Sequence, residues 1–308
     1  MSAVIIGESL VDVTCRADGT VSETPGGGPF NIAVGVSRLA VSTSLLTSIG
    51  TDARGHMLVE RLRGDGVNGI LHGVPETSVA RAQVDSNGIA SYEFDIDGSF
   101  ELTPEMQRAL DSADAVHTGS IAAHYGAGAA TVLEAFTTRR GKSLATYDPN
   151  CRPSITPDAQ IACRQAESFV AASDMVKASD EDMEWLYPGV PIAEVARRWL
   201  MLGANLVVVT RGADGLWGIT SGGVEVAVSA SSTQLVDTIG AGDSAMAALI
   251  VGAIQHGAVG ERARMVLSSL TADDLRRMLD EAALAAAITC SRAGANPPTA
   301  AELGLQLD

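Results

Sequence analysis

The feature that most constrains this chain is an alternation of two kinds of segment. Short apolar runs such as AVIIG (3–7), STSLLTSIG (42–50), DAVHTGSI (114–121), SLATYDPN (143–150), DMVKAS (174–179) and NLVVVT (205–210) read as strands buried on both faces. Between them lie segments of helical period. GGGPFNIAVGVSRLA (26–40) puts Ile32, Val36, Leu39 and Ala40 on one face. Further helices are expected over 55–67, 126–139, 158–172, 180–187, 191–202, 242–256 and 271–292. Gly257 stops the penultimate one, and Thr271 with Asp274 has the spacing of a capping box. Parallel strands need helical crossovers, so the pattern predicts one α/β domain around a mostly parallel sheet.

Two stretches break the pattern. Residues 10–23 alternate apolar and polar around Asp18-Gly19, and residues 79–95 do so around Asn87-Gly88. Both read as hairpins. Set into an α/β chain, they predict a small accessory sheet, a lid drawn from roughly 9–25 and 78–98. GLWGIT (215–220) and GVEVAVSA (223–230) form a third expected hairpin.

Composition narrows the function classes. Hydrophobic residues are 46% of the 308, enough for a large core. The net charge is -16, which disfavours nucleic acid and anionic membranes as partners. No run approaches the ~20 apolar residues of a membrane span. Cys15, Cys151, Cys163 and Cys290 are widely spaced, with no CxxC pair, as in a reduced cytoplasmic protein. The first residues lack the basic region and long apolar run of a signal peptide, so a cytoplasmic location is expected.

Two glycine-rich stretches invite a nucleotide reading, and two familiar motifs fail on spacing. Gly26–Asn31 has Asn where a dinucleotide fingerprint needs its last glycine, and it follows a hairpin. No GxxxxGK[ST] loop occurs. What remains is VDTIGAGDSAMAAL (236–249), a glycine hinge opening a helix of small apolar residues. The amides of Gly240, Ala241, Gly242 and Asp243 would lie at the helix N-terminus, where unpaired donors and the macrodipole attract anions. Asp243 has two readings here: a helix cap, or a base that takes the proton of an attacking hydroxyl.

DTIGAGDSAMAAL (237–249) resembles the C-terminal signature of the PfkB (ribokinase-like) carbohydrate kinases, and PGGGPFNIAVGVSRLA (25–40) resembles the N-terminal one. DPNCRP (148–153) is similar to a segment of the fructokinase branch. VVTRGADGLWGI (208–219) and AAAITCSRAGANPP (285–298) stand where the family has its nucleotide segments. The matches run in family order over nearly the whole chain. Ala245 and Ala248 depart from the signature, which commonly has Phe and Gly there.

The resemblance implies a three-layer αβα fold with a small β-sheet lid, and ATP-dependent phosphorylation of a primary sugar hydroxyl. It makes Asp243 the base, with Gly240, Ala241 and Gly242 as the anion hole. It implies that Asp12, Gly27, Gly28 and Asn31 hold sugar hydroxyls; helix capping for Asn31 and solvent exposure for Asp12 are the plain alternatives. Asn150 and Arg152 of the DPNCRP segment, and Arg81 in the second hairpin, join the substrate side. Arg16 and Arg81 are equally readable as exposed lid charges. The nucleotide side takes Lys177, Ser179, Thr210, Gly212, Gly215 and Asn296. Ser179 and Asp182 occupy positions where the family organises Mg2+ through water. Asp182 is otherwise one of the acids of a solvated first helical turn. A monovalent cation, K+, would lie by Asp237 and Ile239. The glycine loop and GESLVD (7–12) lean towards fructokinase or ketodeoxygluconate kinase, and to fructose or a related ketose as substrate. A sugar-phosphate kinase and a non-catalytic sensor are the rivals, and the resemblance admits a homodimer through the lid.

Overall fold

The computed structural model describes residues 1–16, 18–84 and 90–305. The chain opens with β1 (Ser2–Ile6), β2 (Leu10–Cys15), β3 (Val21–Gly26), α1 (Gly28–Arg38), β4 (Ser42–Gly50), α2 (Ala53–Gly64) and β5 (Asn68–Val74). It continues with β6 (Val79–Val84), β7 (Ala90–Asp95), α3 (Pro104–Asp111), β8 (Ala115–Gly119), α4 (Ser120–His124), α5 (Gly128–Thr137) and β9 (Leu144–Asp148). Then come α6 (Ala159–Ala172), β10 (Met175–Ser179), α7 (Asp180–Leu186), α8 (Ile192–Leu202), β11 (Leu206–Thr210), β12 (Leu216–Thr220) and β13 (Glu225–Val228). The last third is helical: α9 (Ala241–Gln255), α10 (Ala263–Ser268) and α11 (Ala272–Cys290).

Nine strands form the main sheet in the order β13-β12-β11-β10-β9-β8-β1-β4-β5. Every pair from β5 to β11 is parallel; β12 and β13 add an antiparallel hairpin at one edge. The strand alternation serves two layers. Ala3 and Ile5 of β1 pack on the side of α1, α9 and α11, while Val4 and Ile6 pack on the side of α5, α6 and α8. A strand flanked on both faces has no polar side, hence the unbroken apolar runs.

Helix α9 is buried along its whole length from Ser244 to Ile254. Its small residues let neighbouring helices come close: a Cβ on Gly35 of α1 would lie 2.7 Å from the Ala247 Cβ. Ala245 and Ala248 are both buried in this seam.

β2, β3, β6 and β7 form a separate four-stranded sheet, order β3-β2-β6-β7. Its two hairpins are joined by the parallel β2–β6 pair. The expected Asp18-Gly19 turn closes the first, with the Gly19 amide donating to the Arg16 carbonyl. The expected Asn87-Gly88 turn lies outside the described residues. Asp52, the N-cap of α2, anchors the entry to β6 by accepting from the Thr77 amide and hydroxyl as well as from Gly55. Burial pushes the Asp52 carboxyl up, but these donors outweigh it and hold it at about 2.

Several details differ from the sequence expectation, among them α10 (Ala263–Ser268), which was not expected, and α4, which begins at Ser120 inside the run read as a strand. Ala40 is exposed and lies past the end of α1, with φ +66, so it leaves the helix face. α3 was not anticipated, although Thr103 and Pro104 supply an N-cap and first-turn proline. β5 was missed because its residues are largely exposed at the sheet edge and carry Gly69 and Gly73.

Candidate active site

Strand C-termini at the point where sheet order reverses mark the crevice of an open α/β sheet. Here β1 is that point, with β4 on one side and β8 on the other. The C-terminal ends of β1, β8, β9 and β10 bring Glu8, Ser120, Asn150 and Ser179 respectively to this edge. Opposite them stands the N-terminus of α9.

Gly240 is the N-cap of α9 and takes a left-handed conformation, φ +75. Asp243 sits in the first helical turn, and no side chain caps this helix. The capping alternative for Asp243 is therefore set aside: its Oδ2 accepts instead from Asn31 Nδ2 at 2.9 Å. Asn31 lies inside α1, whose N-cap is Gly27, so it is no cap either. The helix end is less open than expected. The Ala241 amide donates to the Thr238 carbonyl at 3.2 Å. The Gly242 and Asp243 amides have no backbone acceptor among the described residues. Burial pushes the Asp243 carboxyl above its ordinary value, and the Asn31 hydrogen bond, Lys177 and Arg152 offset part of the rise.

A cavity of about 580 Å³ opens between this helix end and the small sheet. Asp12, Gly27, Gly28, Asn31, Asn150 and Arg152 all line it, together with Gly240, Gly242 and Asp243. Asp12 faces into it rather than into bulk solvent; burial and the neighbouring Asp243 push its carboxyl up to about 6 against the pull of Arg152. Gly27 (φ +107) lies so close to the β1–β2 turn that a Cβ would stand 2.7 Å from the Glu8 carbonyl oxygen. Asn150 adopts φ +37 and points its Nδ2 at the Ser120 hydroxyl, 3.3 Å away.

Arg81 does not join them. Ala80 and Ala82 of β6 line the cavity, and period-2 alternation turns Arg81 to the other face, where it pairs with Glu93. Arg16 is exposed at the first hairpin turn. Among the described lining residues Arg152 is then the one cation, facing the acids Glu8, Asp12 and Asp243.

A second cavity, about 550 Å³, lies on the other side of the α9 N-terminus. Thr210, Gly212 and Gly215 line it, with Leu216, Ala245 and Ala287 as apolar wall. Thr238 and Gly242 border both cavities, so the two meet at the helix N-terminus. Asn296 borders neither; its Oδ1 accepts from Arg38 Nη1 at 2.6 Å, which fixes the last loop to α1.

Lys177 lies beneath this junction. It is 4% exposed and pairs with Asp148 Oδ2 at 2.8 Å. A Cβ on Gly242 would stand 3.4 Å from its Nζ. Burial alone would lower the ammonium pKa, but Asp148 and the further acids Asp182 and Asp243 raise it, so the charge is kept.

Asp182 corrects its own alternative. It is buried, not a solvated first-turn acid. Ser179 and Asp182 cap one another, and Asp182 Oδ1 accepts from the Cys151 amide at 2.7 Å. Both its oxygens therefore carry protein hydrogen bonds. Asp237 is spent likewise: it takes the Ile239 amide at 3.0 Å and the Gly294 amide at 2.9 Å, clasping two loops, while the Ile239 side chain is exposed. Among the described residues no cluster of three or more His, Cys, Asp or Glu side chains could hold a metal. No helix among them is long and apolar enough to cross a membrane, and the four cysteines are unpaired.

Residues 2–302 match the sequence pattern of the pfkB family of carbohydrate kinases. The chain belongs to that family. A fructokinase of Rhizobium leguminosarum bv. trifolii is 33% identical over 77% of this chain and 75% of its own. The solved structure of a sugar kinase from Pyrococcus horikoshii in complex with ATP is 27% identical, with a TM-score of 0.80 over 97% of this chain and 96% of that one. The fructokinase of Xylella fastidiosa shares the fold at a TM-score of 0.88, 21% identity, and 98% and 96% coverage. As a pfkB-family kinase, the protein is an ATP-dependent sugar kinase, and the two cavities meeting at Gly242 acquire a chemical sense.

Glu8 and Ser120 are among the lining residues that the sequence motifs do not mark. Glu8 lies two residues past the end of β1, and Ser120 opens α4 with φ +57. Position at the C-terminal end of a buried strand was the available signal for both.

Proposed function

We propose that this kinase transfers the γ-phosphate of ATP to a primary hydroxyl of a neutral sugar, with fructose or a related ketose as the first choice. The observation that carries the reading is the shared border of the two cavities at the α9 N-terminus, with Asp243 on the polar side. The sugar would occupy the cavity of Asp12, Asn31 and Asn150. The adenine and ribose would lie along the apolar wall of the other. Asp243 Oδ1 takes the hydroxyl proton as that oxygen bonds to the γ-phosphorus and the bond to the ADP oxygen breaks. The Gly242 and Asp243 amides, with Lys177 beneath, face the negative charge of the transferring group. Asn31 is a positioning residue that holds Asp243 as well as lining the sugar cavity. Closure of the small sheet would exclude water.

Mg2+ would arrive with the ATP phosphates and supply charge neutralisation there. The donor set suits an ion that keeps its waters, because Asp182 and Ser179 are occupied with each other. K+ beside Asp237 and Ile239 stays a reading of the resemblance, with loop carbonyls rather than the Asp237 carboxylate as ligands. A homodimer would use the edges of the small sheet, where Val21 is exposed. We place the protein in the cytoplasm, where ATP and free thiols coexist.

A ketodeoxygluconate or sugar-phosphate substrate is disfavoured by the cavity charge, three carboxyl groups against Arg152. The fructokinase relatives support the same choice. The test is ADP release from Mg-ATP across neutral sugars, sugar acids, sugar phosphates and nucleosides. The highest kcat/KM is expected for a neutral ketose. A sugar acid or phosphate in first place overturns the substrate class, and tight binding without turnover would indicate a sensor.

Asn31→Leu removes a hydrogen bond that lowers the Asp243 pKa. A base must be ionised to act, so the acid limb of the kcat–pH profile is expected to move to higher pH. An unmoved limb would separate Asn31 from the base. Gly240→Ala would force a Cβ into φ +75 and to 2.7 Å from the Ala295 Cβ. Displacing the helix end in this way is expected to lower turnover by about 10- to 100-fold, read by steady-state kinetics, with a lower unfolding temperature.

A further inference from the structure

Glu8 is the one acid lining the sugar cavity for which neither motif nor helix end offers a role. It occupies the turn between β1 and β2, at the wall where the cavity meets a small cleft under residues 96–100. Its Oε2 accepts from the Ala122 amide at 3.0 Å, which fixes the carboxyl against α4. Its Oε1 is buried and makes no hydrogen bond of regular geometry among the described residues; burial pushes the carboxyl up to about 7, against the pull of the Ala122 amide, the Ser120 hydroxyl and Arg152. A buried carboxylate oxygen left unpaired costs free energy, so it is retained where something else supplies a donor. The neighbouring lining residues are short polar groups, Ser120 and Asn150, and the backbone of Gly27 closes over the Glu8 carbonyl. Arg152 is the one cation lining this cavity among the described residues, and its Nη1 donates to the Asn150 and Cys151 carbonyls, so the donor still wanted is neutral and small. A sugar hydroxyl has that chemistry.

We propose that Glu8 is a further substrate-binding residue, whose carboxylate receives a hydroxyl of the sugar other than the one phosphorylated, once the small sheet closes. The assignment rests on the sugar-kinase reading of the same cavity. It makes Glu8 a specificity determinant for hydroxyl pattern, with no part in the proton transfer at Asp243.

The experiment compares wild type, Glu8→Gln and Glu8→Asp with the preferred sugar and its monodeoxy analogues, varying sugar and ATP separately. Glu8→Gln is expected to raise the sugar KM about 10-fold, the loss expected when a buried acceptor is replaced by an amide, with ATP KM unchanged. One monodeoxy analogue should show a similar loss with wild type and no further loss with Glu8→Gln, the signature of a coupled pair. A merely structural carboxyl would lower the unfolding temperature without this pairing. Unchanged sugar KM in both variants, losses that add for every analogue, or failure of both variants to fold overturns the proposal. Absence of turnover by wild type with any sugar would instead overturn the sugar-kinase reading on which it stands.

Discussion

Asp243→Asn is expected to lower kcat at least ~100-fold while sugar affinity and fold persist. The side-chain volume is unchanged, and an amide oxygen can still accept from Asn31 Nδ2, which donates to Asp243 at 2.9 Å. What disappears is a group able to take a proton. The remaining turnover comes from positioning and from the helix-end amides, which the substitution leaves in place. Burial holds the Asp243 carboxyl above its ordinary value. Wild-type kcat should therefore fall as pH drops through that raised value, because protonation removes the base. The same acid limb should be missing from the residual rate of Asp243→Asn. Steady-state kinetics with calorimetric sugar titration measures both parts.

Lys177→Met is expected to cost about 3–5 kcal/mol of stability, because it strands Asp148 in the core. The two side chains are 5% and 3% exposed and 2.8 Å apart. The penalty comes from the unpaired charge more than from the lost attraction, so Lys177→Met with Asp148→Leu should recover much of it. Denaturant unfolding of the two variants and wild type tests this. Turnover should stay low in the double variant, since the cation beneath Gly242 is gone. Recovery of full activity there would leave Lys177 a purely structural partner.

The layers and the small sheet were legible because periodicity reports burial directly. β1, buried on both faces, has no polar alternation, whereas β2 and β3 alternate around a glycine turn. The edge strand β5 was not legible, because exposure on most of its residues erases the signal. The α9 N-terminus was readable from Gly240 to Asp243, since only local geometry is involved. The engagement of the Ala241 amide by Thr238 was not, because it depends on how the preceding loop folds back. Long-range pairings were hidden for the same reason. The spacing of Asp182 and Ser179 suggests a metal-organising pair or an acidic first turn. Whether their oxygens stay open depends on Cys151, 31 residues away in sequence. Asn296 and Asp237 tell the same story: their side chains are consumed in holding the C-terminal loops to α1 and to the α9 approach. Arg81 fell to strand parity, which one residue of register decides.

The most direct test is proton-coupled phosphorus NMR of the product after wild-type enzyme has consumed Mg-ATP and fructose. One new phosphate ester in equal amount to ADP is expected, its signal split into a triplet by the two protons of a primary carbon. Free inorganic phosphate in place of an ester, or a doublet from a secondary carbon, would contradict transfer from ATP to a primary hydroxyl held between Asp243 and the α9 N-terminus.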